Sequence, residues 1–173
     1  MRWTQRASGA VGGAQLLLAA VAGNALRPPD RAALFISAGT ATTVNLVTDS
    51  GVFAGGAIWP GLGLGARSLQ QFTALLPLID IPALLAMPEI PALGRNTAAA
   101  IRSGLWYGHL GGIRELVMRI GANCPKPPCL FVTGGNGQRL ASALGAEYQF
   151  TPELALRGLA SVALRLAASP ESA

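Results

Sequence analysis

Apolar residues in this chain gather into short bulky runs divided by turn residues, and their period changes partway along. The run Ala32-Ala33-Leu34-Phe35-Ile36, preceded by Pro28, Pro29 and Asp30, has strand length and no polar interruption, so it predicts a buried strand. Val44-Asn45-Leu46-Val47 alternates apolar and polar with β-branched residues and predicts a second. After the turn Asp49-Ser50-Gly51, residues 52–58 predict a third. The pair Gly55-Gly56 there marks a bulge or a place where another group comes close to the backbone.

Helical spacing then takes over. Past the glycine-rich Pro60-Gly61-Leu62-Gly63-Leu64-Gly65, a helical stretch runs to Leu76, and the prolines of 77–91 predict irregular chain or short helix. Asn96 is placed to cap a long helix reaching about Ile120, with Ile101, Leu105, Leu116 and Ile120 at helical spacing. Residues 129–132 predict another buried strand, ending in Thr133-Gly134-Gly135-Asn136-Gly137 before a helix over 138–144. Tyr148-Gln149-Phe150 predicts an edge strand and 152–168 a final helix, with proline near its first turn. Ahead of everything, 15–26 predicts an amphipathic or buried helix. Three strands in a meander, then strand and helix in alternation, make an α/β domain.

Composition narrows the function. At 173 residues and 51% hydrophobic, the chain can build one real core. Its net charge of +5 comes almost wholly from scattered arginines, Lys126 being the sole lysine, and aromatics are only 6%. A basic stripe interleaved with stacking rings is absent from the sequence, which argues against nucleic acid. The uncharged stretch 7–26 behind Arg2 and Arg6 is broken by Gly9, Gly12, Gly13, Gln15, Gly23 and Asn24, which argues against an export signal or a membrane span. Cys124 and Cys129 have only His109 to join them, too few ligands for structural zinc; their spacing across the Pro-rich loop permits a disulfide, but two free thiols is the better reading. His109, between Gly108 and Leu110 on the long helix, reads as a surface or interface residue. Glu115 and Glu153 read as solvated charges on helix faces, and Asp80 as one in the proline-rich loop.

Candidate chemistry begins with an exclusion. No Gly-x-x-x-x-Gly-Lys-Ser/Thr motif occurs, so a P-loop phosphotransferase is ruled out. Gly39-Thr40-Ala41-Thr42-Thr43 closes one predicted strand and hairpins into the next, a shape that can offer N–H groups and hydroxyls to an anion. In order along the chain follow Phe53-Ala54-Gly55-Gly56-Ala57-Ile58-Trp59-Pro60-Gly61-Leu62, then Thr73-Ala74-Leu75-Leu76-Pro77 and Gly94-Arg95-Asn96-Thr97. Ser103-Gly104-Leu105-Trp106-Tyr107-Gly108 and Thr133-Gly134-Gly135 complete the series.

That series, spanning about Gly9 to Arg165, closely resembles type III pantothenate kinases. The resemblance implies a ribonuclease-H-like domain of the actin-like ATPase superfamily, in which ATP lies between two such halves. It divides the chain into a lead-in over 1–30, the second actin-like domain over 31–168 and a tail over 169–173. It further implies phosphorylation of pantothenate to 4'-phosphopantothenate with ATP, Mg2+ and a monovalent cation, K+ or NH4+, by a cytoplasmic homodimer. Thr40 and Gly39 fall where ATP phosphate is touched, and Gly134 and Gly135 where the nucleotide approaches the backbone. Thr97 matches the threonine that binds pantothenate.

The departures from the pattern matter as much. The Gly-Ala-Asp-Arg motif of the family falls on Gly13, Ala14, Gln15 and Leu16, so the aspartate that takes the pantothenate hydroxyl proton is an amide and the substrate-holding arginine is a leucine. The aspartate that binds the monovalent cation is Ser37. The family's Asp-x-Gly-Asn-Thr phosphate loop has no counterpart ahead of residue 9. The resemblance therefore implies a kinase scaffold, with a relic lacking turnover as the alternative.

Overall fold

The structure, a computed structural model, describes residues 12–168, with side chains described for 18–164 and for 167. Helix α1 (Gly12–Leu26) leads into β1 (Ala33–Ala38), β2 (Ala41–Val47) and β3 (Phe53–Pro60). Helices α2 (Leu62–Gln71), α3 (Ile81–Ala86) and α4 (Thr97–Gly121) follow, then β4 (Cys129–Thr133), α5 (Gly137–Leu144), β5 (Tyr148–Phe150) and α6 (Leu154–Ala168). The strands form one sheet in the order β3-β2-β1-β4-β5. The first three pair antiparallel, whereas β4 joins β1 in parallel and β5 joins β4 in parallel. This is a mixed α/β fold whose sheet begins as the expected meander.

Strand alternation sorts the core into two layers. Leu34, Ile36, Val44 and Val132 point to one side and meet Trp106, Leu110 and Ile113 of α4 and Leu140 of α5. Ala33, Phe35, Val47 and Phe131 point to the other, against Ala19, Ala20 and Ala22 of α1 and Leu154 of α6. Phe35 and Phe131 lie stacked on that face, with centroids 5.4 Å apart. Their uninterrupted apolar sequences follow from this, because β1 and β4 are covered on both sides.

Both readings of the glycine pair in β3 hold. Gly55 takes φ +101° beside a register shift at Leu46/Val47, and a Cβ on Gly56 would stand 2.0 Å from the Val44 carbonyl oxygen. The helix after β3 is shorter than expected. It ends at Gln71 rather than 76, where the Thr73 hydroxyl donates to the Leu69 carbonyl at 2.6 Å and takes an acceptor near the end of the helical ladder. The proline-rich strap that follows packs Ile79, Leu84 and Ile90 into the core. Arg139 Nη2 donates to the Met87 carbonyl at 2.8 Å and Tyr107 Oη to the Ile90 carbonyl at 2.6 Å, tying the strap to α5 and α4.

Two charged residues, Asp80 and Glu153, differ in place or role from expectation. Asp80 is the N-cap of α3, its carboxylate accepting from the Ala83 N–H at 3.2 Å. Glu153 precedes α6 instead of lying on its face, with φ 55° in the left-handed region. Glu115 is exposed on α4 as expected and pairs with Arg119 one turn on, an arrangement of small energetic weight.

Candidate functional site

Two turns leave the same end of the sheet. Strand β1 runs into Gly39-Thr40, and its parallel neighbour β4 runs into Gly134-Gly135. At that end Ser37 stands beside Thr133 in register, so two hydroxyl side chains close the strands on the α1/α6 face. In open α/β sheets such carboxyl ends are where ligands are taken up.

Gly134 stitches the two turns together. Its φ is +96°, and a Cβ there would stand 2.5 Å from the Ala38 carbonyl oxygen. The same carbonyl accepts the Asn136 N–H at 3.2 Å. Gly135 faces open space, for a Cβ on it would meet nothing within 4 Å. Ser37, Thr133, Gly134, Gly135, Phe150 and Glu153 line a cavity of about 410 Å3, large enough for a small-molecule group.

The structure thus gathers three of the expected residues, Ser37, Gly134 and Gly135, around one cavity. Gly39 and Thr40 form the adjoining turn, outside that lining. Thr40 is exposed, and its carbonyl accepts the Gly61 N–H at 2.9 Å. Thr97 is not brought to the cavity. It is exposed at the first position of α4, where Asn96 does the capping through a 2.9 Å bond from the Ala99 N–H. Gly13, Ala14, Gln15 and Leu16 fall in α1, but their side chains lie outside the described residues.

His109 corrects the sequence reading. It is buried, not on the surface, and Nε2 shares a 2.8 Å hydrogen bond with Thr42 Oγ1. The Trp59 ring lies 5.5 Å away at 45°. Burial alone pushes the imidazole below its ordinary 6.5. A sequence signal existed: alternation in β2 puts Thr42 on the face of Val44 and Leu46, toward α4, where a hydroxyl needs a partner. Glu153 at the cavity carried no such signal. Burial also raises the Cys124 thiol and the Tyr148 hydroxyl, neither of which lines this cavity. Cys124 and Cys129 are free thiols.

A nucleotide fits what is present: hydroxyls at the strand ends, an exposed threonine turn and glycine backbone open to close approach. A bound cation fits poorly. Ser37 offers a neutral hydroxyl, Glu153 is the single carboxylate in the lining, and no three His, Cys, Asp or Glu side chains converge among the described residues. No helix among those residues is long and apolar enough to cross a membrane.

A family model described as type III pantothenate kinase matches residues 6–119. A type III pantothenate kinase of Synechococcus sp. (strain JA-3-3Ab) is 42% identical over 130 residues, covering 73% of this chain and 52% of the relative. One from Dehalococcoides mccartyi (strain CBDB1) is 34% identical over 147 residues, covering 85% and 53%. The chain therefore spans about half the length of the curated relatives it matches. Among solved structures, one described as a Baf family transcriptional activator from Campylobacter jejuni superposes with a TM-score of 0.66 at 18% identity, over 96% of this chain and 69% of that one, a likeness of fold. The matched segment and the identities to whole-family relatives together place the chain in the type III pantothenate kinase family.

Proposed function

We propose that residues 31–168 form the second actin-like domain of a pantothenate kinase, holding ATP for phosphoryl transfer to the pantothenate hydroxyl to give 4'-phosphopantothenate and ADP. The observation that carries this reading is the pair of turns at one sheet end, Gly39-Thr40 and Gly134-Gly135, joined through the Ala38 carbonyl. Phosphoryl transfer depends mainly on positioning and on stabilising charge around the phosphates, which is work for turns of this kind. Thr40 would donate its hydroxyl to a phosphate oxygen. Gly134 and Gly135 would admit the nucleotide along the backbone, and Ser37 and Thr133 would floor the cavity beneath it. The start of α4 at Thr97, where the helix dipole favours an anion, suits the pantothenate carboxylate.

Proton removal is the weak step. Gln15 stands where the family has its aspartate, and an amide has no basic oxygen of comparable strength. Losing a general base costs about two to four decades in rate. Leu16 in place of arginine weakens the hold on an anionic substrate, and Ser37 in place of aspartate removes the cation's carboxylate. Cytoplasmic location and homodimerisation go with the family reading.

The test is ATP- and pantothenate-dependent ADP release, with magnesium and potassium, from the chain and from the triple variant Gln15→Asp, Leu16→Arg, Ser37→Asp. No turnover from the chain and measurable turnover from the variant is the expected result. Turnover by the unmodified chain at the variant's rate would refute the role given to those positions. Silence from both would refute the claim that these three substitutions are what disables the scaffold.

A further inference from the structure

Thr42 is held on three sides. In the sheet it pairs with Ala38 of β1, the last register pair before the turn, and with Trp59 of β3. Out of the sheet its hydroxyl, fully buried, reaches His109 Nε2 of α4 at 2.8 Å. Trp59 leans on the same imidazole. Directly beyond this block the chain forms the exposed turn. The Gly39 N–H donates to the Ala41 carbonyl at 3.1 Å and the Gly61 N–H to the Thr40 carbonyl at 2.9 Å. Gly61 follows Trp59 by two residues and sits so close that a Cβ would stand 2.1 Å from the Gly39 carbonyl oxygen. Both stems of the turn, and the Gly61 N–H that bonds its backbone, are therefore anchored to the Thr42–Trp59 pair that His109 covers.

We propose that His109 is a positioning residue: by holding Thr42 and Trp59 from α4 it fixes the Gly39–Thr40 turn in the shape that presents Thr40. Its consequence for phosphate rests on the nucleotide reading above; its effect on the turn does not. The imidazole satisfies a fully buried hydroxyl, and it ties the long helix to the strand that begins after the turn.

Variants of the full chain separate positioning from packing. Thr42→Val removes the hydroxyl at nearly constant volume, His109→Leu removes both ring nitrogens, and His109→Gln keeps a donor and an acceptor near the Nε2 position. Amide hydrogen exchange is read at Gly39 and Gly61, with Leu34 and Val132 as internal reference. Exchange at Gly39 and Gly61, relative to the reference, is expected to rise about tenfold in Thr42→Val and His109→Leu, the effect of one lost hydrogen bond, and to return toward wild type in His109→Gln. Should His109→Leu fail to fold, Thr42→Ser against Thr42→Val makes the same comparison, with serine restoring protection. Unchanged exchange in Thr42→Val, or His109→Gln no better than His109→Leu, overturns the proposal. ATP titration of the same samples keeps the two ideas apart. If the wild-type chain binds no ATP while Thr42→Val loosens the turn, the nucleotide reading fails and this one stands.

Discussion

At Gly134 a side chain has no room and no favourable backbone. Its Cβ would stand 2.5 Å from the Ala38 carbonyl oxygen while φ stays at +96°. Gly134→Ala is expected to destabilise the fold by about 1–3 kcal/mol, the usual cost of a left-handed residue held in place, and urea denaturation would read it. An unchanged midpoint would mean that the turn relaxes and is not stitched to β1. His109 makes a different demand. Burial holds its folded pKa below the ordinary 6.5, so on acidification the unfolded chain takes up the proton first. Stability should therefore fall as pH drops below about 6.5 and level off once the folded imidazole titrates as well. His109→Gln should flatten that segment of the profile. A wild-type midpoint that is the same at about pH 7 and about pH 5 would contradict it. At this scale the site was half legible. Ser37, Gly134 and Gly135 could be marked through the family resemblance, and the Gly134-Gly135 pair also stands out locally as a turn after an apolar run. The Thr42–His109 bond joins residues far apart in the chain, and a lone histidine says nothing of where it will be buried.

Elements were easier to read than residues, because hydrophobic period is a property of many positions together. The three-strand meander, the capped long helix and the short strand before Gly134 all form about where apolar runs and turn residues put them. Differences fall at the ends. Helix α2 stops at Gln71 because a threonine hydroxyl competes for a backbone carbonyl, and α6 starts at Leu154 because Glu153 turns left-handed. Parallel pairing of β4 with β1 was not visible, since it depends on how α4 crosses the sheet and not on any local pattern. The cap is the most testable of these elements. Asn96 accepts the Ala99 N–H at 2.9 Å, so Asn96→Ala should cost about 1 kcal/mol of stability by thermal or chemical denaturation. A loss near zero would show that the start of α4 is held by the strap instead, where Ser103 Oγ donates to the Ala92 carbonyl.

Over the whole molecule, the two ends of the sheet differ. One carries the paired turns, the cavity and the hydroxyls; the other carries a cleft lined by Arg31, Cys129 and Glu147, with Arg31 spent on the Pro127 carbonyl. Apolar side chains also stand out in water along α2 and the strap, among them Phe72, Leu78, Leu93 and Leu75, the last 92% exposed. Surface of this kind promotes association. Light scattering should show species larger than one chain at micromolar concentration, and a clean monomer would count against that expectation.

Under the proposed function, nucleotide phosphate sits at the paired turns. The direct measurement is an amide-resolved NMR titration of the full chain with ATP and magnesium. Shifts confined to Ser37, Gly39, Thr40 and Ala41 on one turn and Thr133, Gly134, Gly135 and Asn136 on the other are the predicted result. No shifts there, or shifts at Arg31, Cys129 and Glu147 instead, would contradict it.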